Sequence, residues 1–204
     1  MKTIENRGGD VDRRALTEAV EALREGKIII YPTDTLYALG CNALDARAIE
    51  RLCRIKGLNP DKNTLSIVCC SLSQAAEYAR IDNRAFRILK EYLPGPFTFI
   101  LPASTTLPKV FKGRKNVGVR IPANAFATAL AEELGNPVLT SSAEAEDADD
   151  VVNAAALALH YAGYKDIELA VESGEGSHEP STVVDLTDST APEILRQGQG
   201  EFID

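Results

Sequence analysis

The side chains best suited to chemistry in this chain stand at the ends of apolar runs. "VGVRIP" (117–122) sets Arg120 inside one run, and "VLTSSAE" (138–144) leads another into Thr140, Ser141 and Ser142. "PSTVVDL" (180–186) puts Ser181 and Thr182 just before a third, and "EILRQG" (193–198) adds Arg196. A planar guanidinium grips carboxylates and phosphates, and hydroxyls donate well to phosphate oxygens. "KIIIYPTDTLYALGC" (27–41) carries the theme further. Ile28, Ile29, Ile30 and Tyr31 open a strand, and Pro32 removes a ladder donor. Thr33, Asp34, Thr35 and Tyr37 follow, and Gly40 closes the segment.

Each feature also has a plain structural reading. Arg120 either holds an anion or lies on an edge strand facing water, an arrangement that Pro122 fits. Serines at strand ends are common turn material. Lys56 lies four residues after Leu52, so it continues the inward stripe at the last turn of a helix. There it either snorkels outward and favours the helix C-terminus, or holds a buried anion.

Several enzyme classes drop out. The chain has no GxxxxGK[ST] phosphate loop, no GxGxxG fingerprint and no HExxH. No serine lies in a GxSxG elbow to partner His160 or His178. The four cysteines form no CxxC pair, and Cys69 and Cys70 are adjacent, which favours reduced thiols and a cytoplasmic location. No run approaches membrane-spanning length, and "MKTIENRGGDVDRR" lacks the apolar core of a signal peptide.

The net charge of −8 hides an asymmetry. Residues 1–120 balance at +7 and residues 121–204 at −15. Such segregation either signals a polyanionic partner or reflects a solvated surface whose signs divide along the chain.

The elements that must position these residues alternate between helix and strand. Asp10 or Asp12 caps a helix with Leu16, Val20 and Leu23 on one face, ending at Gly26, and the Ile-rich strand follows. Asp45 caps a second helix with Ile49, Leu52 and Cys53 inward, closed by Gly57. The segment 64–70 reads as a strand, 73–80 and 82–93 as helices, and Pro94-Gly95-Pro96 stops the latter. Strands are expected at 97–101 and 117–121, then a helix from Asn124 to Gly135 and a strand at 137–141. The acidic stretch 144–150 leads into an alanine-rich helix ending near Gly163, and short strands follow at 167–171, 182–186 and 194–196. Clustered late strands point to an α/β sheet that is not purely parallel.

Taken in order, "YPTDTLYALGC", the "KG" after the second helix, "PGPFTFIL", "VGVRIP", "TSSA", "PSTVVD" and "ILRQG" resemble the YrdC family, the threonylcarbamoyl-AMP synthases. The likeness runs over roughly residues 12–200. It implies a single domain over 1–204, a twisted mixed α/β sheet with flanking helices around a large concave cavity. It further implies that L-threonine, bicarbonate or CO2, and ATP give L-threonylcarbamoyl-adenylate and pyrophosphate, the product feeding t6A modification of tRNA. On the matching positions, Thr33, Thr35 and Tyr37 line the amino-acid pocket, and Arg120 meets an anionic group of the substrate. Lys56, Ser142, Ser181, Thr182 and Arg196 hold the nucleotide or the carbamate region, with Lys56 central to catalysis.

That reaction needs positioning and cations rather than a covalent nucleophile. Lys56, Arg120, Arg196 and a Mg2+ ion accompanying ATP would supply the charge. Phosphate-bound Mg2+ takes few protein ligands, so no protein metal site is expected.

Two departures mark this sequence. The synthases of the family carry Lys-x-Arg after the second helix and Ser-x-Asn after the later strand. Here the stretches are Lys56-Gly57-Leu58 and Ser142-Ala143-Glu144. Leu58 removes a fixed cation, and Glu144 sets a carboxylate near expected phosphates, which is repulsive unless a metal or lysine intervenes. "ALGC", "PGPFTFIL" and "TVVDLTD" look closer to the YciO branch. Three readings follow in order. The first is an adenylate-forming synthase. The second is a YciO-type homologue that binds or hydrolyses a nucleotide or adenylate without efficient synthesis. The third is a module binding structured RNA, motivated by the basic first 120 residues, although few aromatics accompany them.

Overall fold

The computed structural model describes residues 1–6, 11–59, 63–108, 115–143 and 153–203. Along the chain, β1 (Lys2–Glu5), α1 (Arg13–Arg24), β2 (Ile28–Tyr31), β3 (Ala38–Asn42) and α2 (Ala46–Ile55) come first. Next are β4 (Ser66–Val68), α3 (Leu72–Tyr78), α4 (Asn83–Tyr92), β5 (Phe97–Pro102) and β6 (Asn116–Arg120). Then follow α5 (Ala125–Leu134), β7 (Val138–Ser142), α6 (Ala154–His160), β8 (Ile167–Glu172), β9 (Thr182–Asp185) and β10 (Glu193–Arg196).

Short polar side chains start the helices by accepting otherwise unpaired backbone N–H groups. Asp12 accepts from Arg14 and Ala15, Asp45 from Arg47 and Ala48, and Asp82 from Arg84 and Ala85. Asp10, the alternative cap for α1, lies outside the described residues, as does the acidic stretch 144–150. No helix among the described residues is long and apolar enough to cross a membrane.

The strands form one mixed sheet in the order β1-β8-β2-β3-β7-β4-β6-β5-β9-β10. The β1–β8, β8–β2, β4–β6 and β5–β9 pairs are parallel, and the other pairs are antiparallel. The mixed sheet agrees with the expected fold class. Two strands had no counterpart in the sequence reading, β1 and β3. In β1 only Ile4 of the four residues is buried. In β3 the sequence ALGCN lacks β-branched residues, so propensity is silent.

Gly40 does not close a segment. It sits inside β3, paired with Ile29 and Thr140. A Cβ there would lie 2.6 Å from Tyr31 Cε1 and 2.9 Å from Val138 Cγ1, so glycine is required by the ring that crosses it.

Period-2 alternation sends successive residues of a strand to opposite faces of the sheet. On β2, Ile28 and Ile30 face the first cluster, and Ile29 and Tyr31 the second. The first cluster takes in residues of α2, α3, α4 and α6. The second lies under α1 and α5. Those two helices cover one part of their face only. The rest of it, over β6, β5 and β9, belongs to the site.

Tertiary structure also interleaves the charges that the chain segregates. Arg13 pairs with Glu133 at 4.0 Å, Lys27 with Glu168 at 3.7 Å and Arg51 with Asp166 at 3.5 Å. Each pair joins the basic N-terminal portion to the acidic C-terminal one. The cysteines are free, and Cys41, Cys53 and Cys69 are buried.

Candidate active site

A cavity of about 340 Å³ opens on the partly covered face. Ser66 of β4, Thr98 and Ile100 of β5, Arg120 of β6 and Thr140 of β7 line it from the sheet. The β2–β3 connection contributes Thr35 and Leu36, the α2–β4 connection Leu58 and Thr64, and the far rim Ser181, Leu195 and Arg196. Eight of the described lining residues carry hydroxyls. The only charged ones are Arg120 and Arg196.

Arg120 is 8% exposed. Its strand lies between β4 and β5, so the edge-strand reading is corrected: the guanidinium faces the cavity, not water. Nη2 donates to Asp34 Oδ1 at 3.0 Å and to Thr35 Oγ1 at 3.0 Å. The other Asp34 oxygen accepts from the Ala123 backbone N–H at 2.8 Å, which fixes the carboxylate behind the arginine. Burial lowers the Arg120 pKa, while Asp34 opposes that shift. The Arg120 Nε has no hydrogen-bond partner among the described residues. Such a buried donor costs about 1–3 kcal/mol when left unmet.

The polar run after β2 serves this arginine. Thr33 donates to the Leu36 carbonyl at 2.7 Å and accepts from the Thr35 N–H at 3.1 Å, which shapes the turn. That turn presents Thr35 to Arg120, whereas the Thr33 hydroxyl itself is spent locally. Across the cavity, the Thr98 and Ser181 hydroxyls share a hydrogen bond at 2.8 Å. Arg196 donates to the Ser181 carbonyl at 2.8 Å and 3.2 Å. No carboxylate pairs with Arg196 among the described residues.

Of the residues expected from sequence, the cavity gathers Thr35, Arg120, Ser142, Ser181 and Arg196. Thr33, Tyr37, Lys56 and Thr182 are not in its lining. Tyr37 belongs to the other core cluster, where its hydroxyl donates to the Gly174 carbonyl at 2.8 Å and accepts from the Ser173 N–H at 2.9 Å. Thr182 donates to the Gly200 carbonyl and accepts from the Gly198 N–H, and so holds the tail beyond β10. Lys56 is half-buried at the C-cap of α2. Leu58, two residues later, does line the cavity. Glu144 lies outside the described residues.

Sequence reasoning missed Asp34 as the partner of Arg120, and Thr98 as a lining residue. Thr98 had a signal, being the polar residue within the apolar run "FTFIL". Asp34 had none, because its partner lies 86 residues away.

Fold and site together define an α/β protein with an arginine- and hydroxyl-lined cavity on one face of its sheet. The chain belongs to the Sua5/YciO/YrdC family, whose pattern, described as "Telomere recombination", matches residues 21–198. It is 39% identical over 201 residues to the uncharacterized protein YciO of Escherichia coli (strain K12), covering 93% of this chain and 91% of that one. The E. coli YciO crystal structure superposes with a TM-score of 0.86 at 36% identity, over 98% of this chain and 96% of that one.

A threonylcarbamoyl-AMP synthase of Pyrococcus abyssi is 37% identical over 179 residues, covering 86% of this chain and 52% of that protein. The crystal structure of P. abyssi Sua5 complexed with L-threonine matches with a TM-score of 0.82 at 33% identity, over 97% of this chain and 57% of that one. The family resemblance and the mixed α/β fold therefore hold.

Proposed function

We propose that this chain, acting as one cytoplasmic domain, binds L-threonine and MgATP in the cavity and forms L-threonylcarbamoyl-adenylate. The carrying observation is a cavity whose described lining offers two arginines, eight hydroxyls and no carboxylate. That donor set suits a ligand rich in anionic oxygens.

In the proposed reaction the threonine amine takes up CO2, from bicarbonate, as a carbamate. A carbamate oxygen then forms a bond to the α-phosphorus while the bond to pyrophosphate breaks. Arg120 and Arg196 balance charge, and Thr35, Ser142 and Ser181 orient the reactants. Lys56 is proposed as a further cation from the end of α2, beside lining residue Leu58. Thr33, Tyr37 and Thr182 act by holding the segments that carry the lining residues. Mg2+ would enter as part of the nucleotide substrate, bound by its phosphates. The product would feed t6A modification of tRNA.

Pyrophosphate release from MgATP by purified protein, with and without L-threonine and bicarbonate, tests this reading. Release that requires both co-substrates is the expected result. Release indifferent to threonine favours a second reading, a YciO-type protein that binds or hydrolyses a nucleotide or adenylate without efficient synthesis. Leu58 supports that alternative, because an apolar side chain lines the cavity where the synthase pattern has arginine.

A further inference from the structure

Tyr31 ends β2 and is completely buried in the core under α1 and α5. A buried phenol needs a hydrogen-bond partner. It finds one two strands away, donating to Thr140 Oγ1 on β7 at 2.8 Å. The strand between them is β3, and the ring crosses it at Gly40, where any Cβ would collide. The direction of this bond follows from the surroundings. Thr140 is the one side-chain partner of the Tyr31 hydroxyl among the described residues, so a bond donated the other way would strand the phenol proton in an apolar core.

A hydroxyl has one proton and two lone pairs. Thr140 accepts from Tyr31, and among the described residues its own proton has no acceptor. Thr140 lines the cavity. So does Arg120, a side chain more than nine-tenths buried whose Nε–H also lacks an acceptor among the described residues. The cavity therefore holds two donors that have no acceptor among the described residues. Burial pushes the Tyr31 pKa up to about 12, which keeps the phenol a donor throughout the neutral range.

We infer that Tyr31 is a positioning residue, which fixes the Thr140 hydroxyl as a hydrogen-bond donor to an oxygen of the ligand in the cavity. Tyr31 touches no ligand itself. Its role is to take one lone pair of Thr140, so that the remaining proton points away from the core. The inference deepens the proposed function and rests on its claim that an oxygen-rich ligand occupies the cavity.

Calorimetric titration with MgATP, and separately with L-threonine, provides the test. Thr140→Val removes the donor and is expected to weaken one of the two ligands by about tenfold, the worth of a hydrogen bond to a charged group. Thr140→Ser keeps the hydroxyl and is expected to restore most of that affinity. Tyr31→Phe is expected to weaken the same ligand by roughly three- to tenfold, and to add little when combined with Thr140→Val. A purely structural tyrosine would lower the melting temperature without this dependence on Thr140.

Tyr31→Phe with both affinities at the wild-type level overturns the inference, and so does an effect that adds in full to that of Thr140→Val. Wild-type protein that binds neither ligand overturns the proposed function, and the inference falls with it.

Discussion

On β5, Phe97, Phe99 and Leu101 pack into one core, while Thr98 and Ile100 face the cavity. On β6, Val117 and Val119 join the same core, and Gly118 and Arg120 take the opposite side. The packed face is filled by volume. Phe97 and Phe99 stack at 5.7 Å, with Tyr92 of α4 edge-on to Phe97 at 5.0 Å. The cavity face is kept open instead, by a missing side chain at Gly118 and by short hydroxyl residues around it. A Cβ at Gly118 would press on Ser66, and would come within 3.1 Å of Thr98 Cγ2. Alternate residues of one strand thus serve different ends, a filled core on one side and a polar-lined cavity on the other.

The largest effect expected from this division is on the packed face. Phe99→Ala should lower the unfolding free energy by about 3–5 kcal/mol in urea denaturation, with ligand affinity of the folded protein unchanged. An affinity loss matching the stability loss would break the division. Arg120→Gln, on the other side, should weaken binding of the anionic substrate by about a hundredfold, because it removes a buried hydrogen-bonded cation. Affinities within a factor of two of wild type would show that Arg120 serves Asp34 alone.

The smallest effect sharpens the boundary between the packed and open parts of the cavity face, where Tyr31 lies. Its hydroxyl titrates near 12 when folded, against about 10 in an unfolded chain. The neutral phenol therefore contributes stability that is complete below pH 10 and lost as pH rises towards 12. Tyr31→Phe should reduce the fall in unfolding free energy between pH 9 and pH 12 by about 2 kcal/mol. An unchanged alkaline slope would place Tyr31 in contact with water, outside the core.

Most elements were readable from local pattern. The caps Asp12, Asp45 and Asn124 announced helices because their side chains bond backbone N–H groups two or three residues ahead, within the same stretch of chain. β2, β5 and β6 announced themselves by β-branched and aromatic runs. β3 was invisible because its glycine answers a tyrosine from the neighbouring strand rather than a turn. The charge asymmetry between the two portions was real, but it did not predict the surface. β8 returns to lie beside β2, which brings Glu168 against Lys27.

For the site, the order of the family's motifs pointed to Thr35, Arg120, Ser142, Ser181 and Arg196, which line the cavity, and equally to Thr33, Tyr37, Lys56 and Thr182, which do not. The motifs could not tell Thr35 from Thr33, two residues apart on the same turn, one facing the cavity and the other bonded to the Leu36 carbonyl. Nor could they tell Ser181 from Thr182, which strand alternation sends to opposite faces.

Periodicity and capping determined which segments form helix or strand, and the order of motifs determined which polar residues reach the cavity's neighbourhood, because those signals act over a few residues. Only the tertiary structure decided that β6 is an inner strand, that Asp34 backs Arg120, and that Tyr31 reaches Thr140 across Gly40. Each of these depends on the pairing of strands far apart in the chain, and the energy that selects it is the burial of surfaces that no local window contains.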